Sequence, residues 1–282
     1  MALGTLYLVG TPIGNLEDMT FRAIAVLQRV ALIAAEDTRH TGKLLQHFQI
    51  DTPQISYRDE NHRVCAPLLL SRLQAGQDVA LVSDAGMPLL SDPGEPLVAE
   101  CIAAGIAVVP VPGPTAAIAA LVASGLAGDR FVFEGFLPLK AKVREARLTA
   151  LAREERTVIL YEAPHRLRQT LQDLQTVVAG DRPLVLAREL TKRYEEFWRG
   201  TLAGAIAHYA HQEPKGEFVL ILGGHPHPQE VWEEEAVRLA LARLLQEGQS
   251  LAIASRELAL TVGRSRREIY QLGLQLQTDG DG

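Results

Sequence analysis

The sequence holds only two cysteines, Cys65 and Cys101, far apart and outside any CxxC or Cys/His cluster. That excludes a disulfide framework and a cysteine-based structural zinc site, and it fits a reducing cytosol. No run reaches the roughly 18 apolar residues that a membrane-spanning helix needs. The N-terminal MALGTLYLVG lacks the basic start and small-residue cleavage site of a signal peptide, so a cytoplasmic protein is expected. An excess of positive charge is also missing. The formal net charge is -6, which argues against a broad non-specific coat for nucleic acid but leaves room for local basic patches. Neither GxGxxG nor GxxxxGK[ST] occurs at a strand end, which removes the dinucleotide fingerprint and the NTPase phosphate loop. No repeat of solenoid period is present.

What is present is an ordinary globular composition, 47% hydrophobic and 22% charged over 282 residues. That length exceeds what one core usually needs. Strand-like runs at 4–10, 31–37, 53–57, 78–84 and 106–111 alternate with helical stretches at 20–30, 38–48, 61–75, 94–104 and 114–124. Several of these strands are apolar throughout, the pattern of a mostly parallel sheet covered on both faces. A second alternating series follows. Its strands are 131–136, 156–162, 183–190 and 217–224, with 195–200 as a possible edge strand and helices at 141–154, 164–179 and 201–211. HPHPQE (225–230) reads as a linker. Beyond it Val237, Ala240, Leu241, Leu244 and Leu245 keep helical spacing, which predicts a three-helix tail whose last residues, TDGDG, fray. The expected architecture is therefore α/β. It comprises an N-terminal α/β domain (1–125), a second α/β domain (126–224) and a small C-terminal helical domain (225–282).

The chemistry-bearing segments stand at strand ends. GTPIGNL (10–16) is a glycine-rich turn that suits a ligand approaching the backbone, and suits an ordinary strand-to-helix turn as well. SDAGMPLLSDPG (83–94) packs two Asp-containing turns, two glycines and two prolines into one loop, more than a structural turn requires. VPGPTA (111–116) fixes the backbone and offers Thr115 as a helix cap. AEDTR (35–39), YEAPHR (161–166) and RELTK (188–192) each set a carboxylate beside a base. One such cluster is a strand-tip salt bridge worth little; three at equivalent positions point to one lined cleft. Basic residues gather in 139–156, with six Lys or Arg against three Glu, at Arg166 and Arg168, at Arg188, Lys192 and Arg193, and at Arg264, Arg266 and Arg267. These are phosphate contacts around one cleft or simply solvated helix faces. Gly263 between two short helices admits a helix-turn-helix, a helical cap or a dimer contact.

In this order, GTPIGNL, AEDTR, SDAGMPLLSDPG, VPGPTA, FEGFLP, YEAPHR and RELTK resemble the tetrapyrrole methylase superfamily over about residues 4–224. Within it they are similar to the branch that methylates small-subunit ribosomal RNA, as is GRSRREIY (263–270) in the tail. The resemblance implies two α/β domains with S-adenosylmethionine in the cleft between them, usually in a homodimer. It also implies methylation of the ribose 2′-hydroxyl of a cytidine in 16S rRNA, with no metal. Carried over by position, the cofactor pocket uses Gly10, Thr11, Pro12, Asp84, Ala85, Gly86, Met87, Thr115 and Ala116, joined by Tyr161, Glu162, Leu190 and Glu217. A ribose hydroxyl is a poor nucleophile until it loses its proton, so a general base is worth about 10²–10⁴-fold. The candidates are Glu36, Asp37, Glu162 and Lys192, unless the proton passes late to water. A tetrapyrrole or other small-molecule methylase on the same fold, or a non-catalytic RNA-binding assembly factor, are the competing readings.

Overall fold

The computed structural model describes residues 2–225 and 233–279, and the chain divides into two compact units after His225. The linker expected at 225–230 and the extreme C-terminus therefore lie almost wholly outside the described residues.

The first unit contains two five-stranded sheets. In the first, β1 (Thr5–Val9), β2 (Leu32–Ala35), β3 (Gln54–Ser56), β4 (Val79–Val82) and β5 (Ala107–Val111) are all parallel, in the order β3-β2-β4-β1-β5. Helices α1 (Phe21–Arg29) and α2 (Thr38–His47) cover one face over Val9, Ile33, Ala80 and Val82. Helices α3 (His62–Gln74) and α4 (Glu95–Ala103) cover the other over Leu6, Leu32, Val79 and Leu81. The central strands β2 and β4 are buried along their whole length, which explains their unbroken apolar sequences. Pro110 is tolerated because β5 is an edge strand.

The second sheet has the order β6-β7-β10-β8-β9, built from β6 (Phe131–Phe136), β7 (Thr157–Glu162), β8 (Pro183–Arg188), β9 (Glu196–Thr201) and β10 (Phe218–Leu222). Only β6 and β7 are parallel. β10 runs antiparallel to both β7 and β8, and β9 antiparallel to β8 as an edge strand. Helices α6 (Ala141–Ala152), α7 (Pro164–Gln175) and α8 (Leu202–His211) pack on one face around Val158, Leu160, Leu186 and Leu220. The opposite face, with Ile159, Val185, Ala187, Val219 and Ile221, is covered by α5 (Ala116–Ser124) through Ala117, Ala120 and Leu121. A helix that follows the last strand of the first sheet thus completes the core of the second.

Several expected elements end early, two of them for visible reasons. α7 stops at Gln175 instead of 179, where Thr176, Val177 and Val178 bring three β-branched side chains in a row. β8 stops at Arg188 because Glu189 and Thr191 take left-handed φ values of 50° and 63°. Arg182, only 2% exposed, donates to the carbonyls of Gly223, Ala152 and Glu154, tying β10 and the chain after α6 together.

The second unit holds α9 (Glu234–Gln246), α10 (Leu251–Val262) and α11 (Arg266–Asp279), packed through Val237, Leu241, Ala254, Leu258 and Ile269. Gly263 closes α10 in a left-handed cap, and Ser265 with Glu268 forms a reciprocal cap at the start of α11.

Gly10 and Gly113 stand back to back. A Cβ on Gly10 would lie 2.7 Å from Gly113 Cα and 2.7 Å from Met87 Sδ. Gly10→Val should therefore destabilise the protein by about 1–3 kcal/mol by forcing two loops apart. Urea denaturation monitored by far-UV circular dichroism measures this, and an unchanged midpoint would contradict it.

Candidate active site

A cavity of about 470 Å³ opens in the first unit, within the usual range for a nucleotide-sized ligand. Segments from both sheets line it: Glu36 after β2, residues 84–87 and 90–92 after β4, Thr115 and Ala116 at the cap and start of α5, Phe136 at the end of β6, residues 161–165 at and beyond the end of β7, Ala187, Leu190 and Lys192 from β8 onward, and residues 217–219 at the start of β10.

The loop after β4 carries most of the polar chemistry. Leu89 and Ser91 take left-handed φ values of +74° and +70°, a costly conformation for residues with side chains, whereas Gly86 adopts its +86° freely. Contacts with the neighbouring loop hold Gly86 in place. Thr11 N donates to Gly86 O at 2.9 Å, Gly86 N to Thr11 O at 3.1 Å, and the Thr11 hydroxyl to Ser83 O at 3.2 Å. Across the site, Asp37 N donates to Asp84 Oδ1 at 3.1 Å, while Asp84 N donates to Glu36 Oε2 at 3.3 Å. This reciprocal clasp holds the loops after β2 and β4 together and places two carboxylates at the cavity wall.

Asp92 is the third. Burial drives its pKa up, Glu36 and Asp84 add like-charge repulsion, and the result is about 6. Burial also raises Glu36, against the opposing hydrogen bond from Asp84 N. The wall is thus an electron-rich corner that a cation would relieve, facing apolar Ile13, Met87, Leu190 and Val219. Across the cavity Tyr161 accepts a hydrogen bond from Ala117 N at 3.1 Å, so a phenol from the second sheet caps α5. Its own proton is held tightly, because burial raises its pKa.

Of the residues chosen from sequence, Glu36, Asp84, Ala85, Gly86, Met87, Thr115, Ala116, Tyr161, Glu162, Leu190, Lys192 and Glu217 line the cavity. Gly10, Thr11, Pro12 and Asp37 do not. Gly10 serves the close approach to Gly113, and Thr11 serves the bridge to Gly86, so that from this loop only Ile13 reaches the cavity. Asp37 caps α2 and pairs with Arg39 at 2.7 Å, which holds its pKa well below the carboxylate range.

The four candidate bases separate on chemistry. Glu162 faces the cavity but its carboxylate is fully engaged, accepting from Thr170 Oγ1 at 2.5 Å and Ala163 N at 2.8 Å, with Arg166 at 3.4 Å. Partial burial pulls the Lys192 ammonium down, yet bonds to Glu217 (2.8 Å) and Glu189 (3.0 Å) outweigh it and raise the pKa, so this amine stays protonated. Glu36 combines cavity exposure with a raised pKa. Asp92, Phe136 and His165 were missed individually, although each lies inside a motif singled out above. Ala187 and Val219 carried no signal, since apolar strand residues look alike whether they face a core or a cavity.

Several basic residues have structural work. Arg144 binds Asp173 at 2.6 Å, Arg166 binds Leu137 O, Arg168 binds Tyr209 O and Gln212 O, and Arg188 binds Lys215 O and Glu196. Lys140, Lys142 and Arg147 remain exposed along α6 and its start. Among the described residues, no group of three or more His, Cys, Asp or Glu is placed to hold a metal ion.

The family model for Tetrapyrrole (Corrin/Porphyrin) Methylases matches residues 5–206. The chain belongs to this family. Among relatives of this tetrapyrrole methylase, the ribosomal RNA small subunit methyltransferase I of Synechocystis is 59% identical over 99% of this chain and 100% of its own. The protein of the same name from Pseudomonas aeruginosa is 48% identical over 98% and 99%. Uroporphyrin-III C-methyltransferase from Thermus thermophilus, solved with S-adenosylhomocysteine, shares the fold: TM-score 0.56 at 20% identity, covering 78% of this chain and 97% of that one.

Asp92 gives a pH test of the carboxylate corner. Its folded pKa, about 6, stands above the ordinary 3.8, so its contribution to stability is complete below the unfolded value and is lost as pH rises through 6. Asp92→Asn should therefore raise the urea midpoint at about pH 7.5, with the gain shrinking towards about pH 5. A gain independent of pH would rule this out.

Proposed function

We propose that this tetrapyrrole methylase transfers a methyl group from S-adenosylmethionine to the ribose 2′-hydroxyl of a cytidine in 16S rRNA of the small ribosomal subunit. The observation that carries the reading is the carboxylate corner formed by Glu36, Asp84 and Asp92 in a cavity of nucleotide size, matching a sulfonium cation. The names of relatives at 48–59% identity over nearly the whole chain support the RNA substrate.

When bound, S-adenosylmethionine supplies a methyl group on a good leaving group for in-line displacement. The chain's task is to hold donor and acceptor about 3–3.5 Å apart and aligned. Glu36, Asp84 and Asp92 set a negative potential against the cation. Ala85, Met87, Leu190 and Val219 offer apolar surface, and Gly86, with no side chain, opens the approach to the backbone. Glu36 takes the ribose proton, since its raised pKa brings proton affinity closer to neutrality. Lys192 acts by holding Glu217 and Glu189 in place. Asp37 and Glu162 act as architecture.

The working form is a homodimer in the cytoplasm. The uncovered Ile118 and Val122 on α5, 44% and 77% exposed, offer apolar surface for a second copy. Among the described residues no helix is long and apolar enough to cross a membrane.

Labelled S-adenosylmethionine incubated with small ribosomal subunits lacking the modification tests the reaction. Label is expected in 16S ribose, and its absence there, or its entry into a tetrapyrrole, sinks the assignment. Glu36→Gln should lower turnover about 10²–10⁴-fold, and Lys192→Met should lower it less. The reverse order in single-turnover rates would move the base away from Glu36.

A further inference from the structure

Phe136 sits where it does because of a backbone irregularity. β6 pairs with β7 in regular register up to Phe133 opposite Ile159, and then the register shifts so that Gly135 faces Leu160 and Phe136 faces Tyr161. Glu134 is the extra residue of a β-bulge. Gly135 takes φ +64°, a conformation that favours glycine, and a Cβ there would lie 2.7 Å from Ser91 Oγ.

Without the bulge, simple alternation would set Phe136 opposite Glu162, on the face where Val158 and Leu160 join the core beneath α6, α7 and α8. The bulge turns it to the other face, beside Tyr161, where it lines the cavity. There the ring packs edge-on against Tyr161, with centroids 5.6 Å apart, and remains 48% exposed. A strand that could bury a phenylalanine instead exposes half of it at a cavity mouth. Beyond it the chain presents exposed Lys140 and Lys142.

We propose that Phe136 is the stacking platform for an unpaired nucleobase, the base of the acceptor nucleotide turned out of its RNA strand, as its bulge-directed, half-exposed ring at the cavity mouth indicates. This rests on the RNA methylation reading above. An enzyme acting on a nucleotide inside a folded RNA must expose it, and an aromatic face is the usual support for an unstacked base. The neighbouring lysines suit the flanking phosphates.

The test is the rate of methyl transfer to unmodified small subunits, with cofactor affinity measured separately by calorimetry. Phe136→Ala should lower kcat/KM for the subunit by about 10- to 100-fold, with unchanged S-adenosylmethionine affinity. Phe136→Tyr and Phe136→Trp should stay close to the parent, while Phe136→Leu, apolar but unable to stack, should resemble Phe136→Ala. Full activity in Phe136→Leu overturns the proposal in favour of simple burial. Loss of cofactor affinity in Phe136→Ala overturns it in favour of a cofactor wall. A parent enzyme that labels no subunit removes the RNA reading itself, and the platform with it.

Discussion

Helix α5 follows one sheet and covers the other, and the cavity exists because of that crossing. Ala117, Ala120 and Leu121 fill the face of the second sheet that no other helix covers, against Ile159, Val185 and Ile221. Burying the leucine, isoleucine and valine side chains contributes about 1.5–3 kcal/mol each, so the seam is a core and not a hinge. Tyr161 adds direction, because its oxygen accepts from Ala117 N and fixes the N-terminus of α5 beside the end of β7. Thr115 and Ala116 are thereby delivered to the same space as Glu36 and Asp84.

The electrostatics of that space follow from its construction. The clasp between Glu36, Asp37 and Asp84 uses backbone amides as donors, which steadies the carboxylates without neutralising them. Asp92 enters the same corner through a loop that includes left-handed Leu89 and Ser91. Negative charge accumulates where water is partly excluded, and a like-charge cluster of this kind is costly to hold without a cationic partner. On the far side Lys192 is already matched by Glu189 and Glu217, so the imbalance stays local.

Much of this was legible beforehand. The unbroken apolar runs of β2 and β4 announced buried parallel strands, and the crowded turn chemistry of 83–94 marked out a loop that lines the cavity. Strand direction in the second sheet was not legible, because an antiparallel strand buried on both faces, such as β10, reads like a parallel one. The division of labour within a motif was hidden for a similar reason. GTPIGNL looks like one ligand loop, yet Gly10 answers to Gly113, Thr11 to Gly86, and Ile13 alone reaches the cavity. Charge counts did not reveal that arginines such as Arg168 and Arg188 also bind carbonyl oxygens on neighbouring segments.

The bulge at Glu134 has a consequence for how this segment tolerates change. Which way Phe136 points is decided by the number of residues between it and Phe133, with Gly135 supplying the left-handed backbone that the bulge requires. Exchanging side chains elsewhere in the strand leaves that parity intact, whereas shortening the strand by one residue would invert it and drive the ring inward. Spacing is thus a functional property here, and tolerance of insertions and deletions should collapse at a point where tolerance of many substitutions persists.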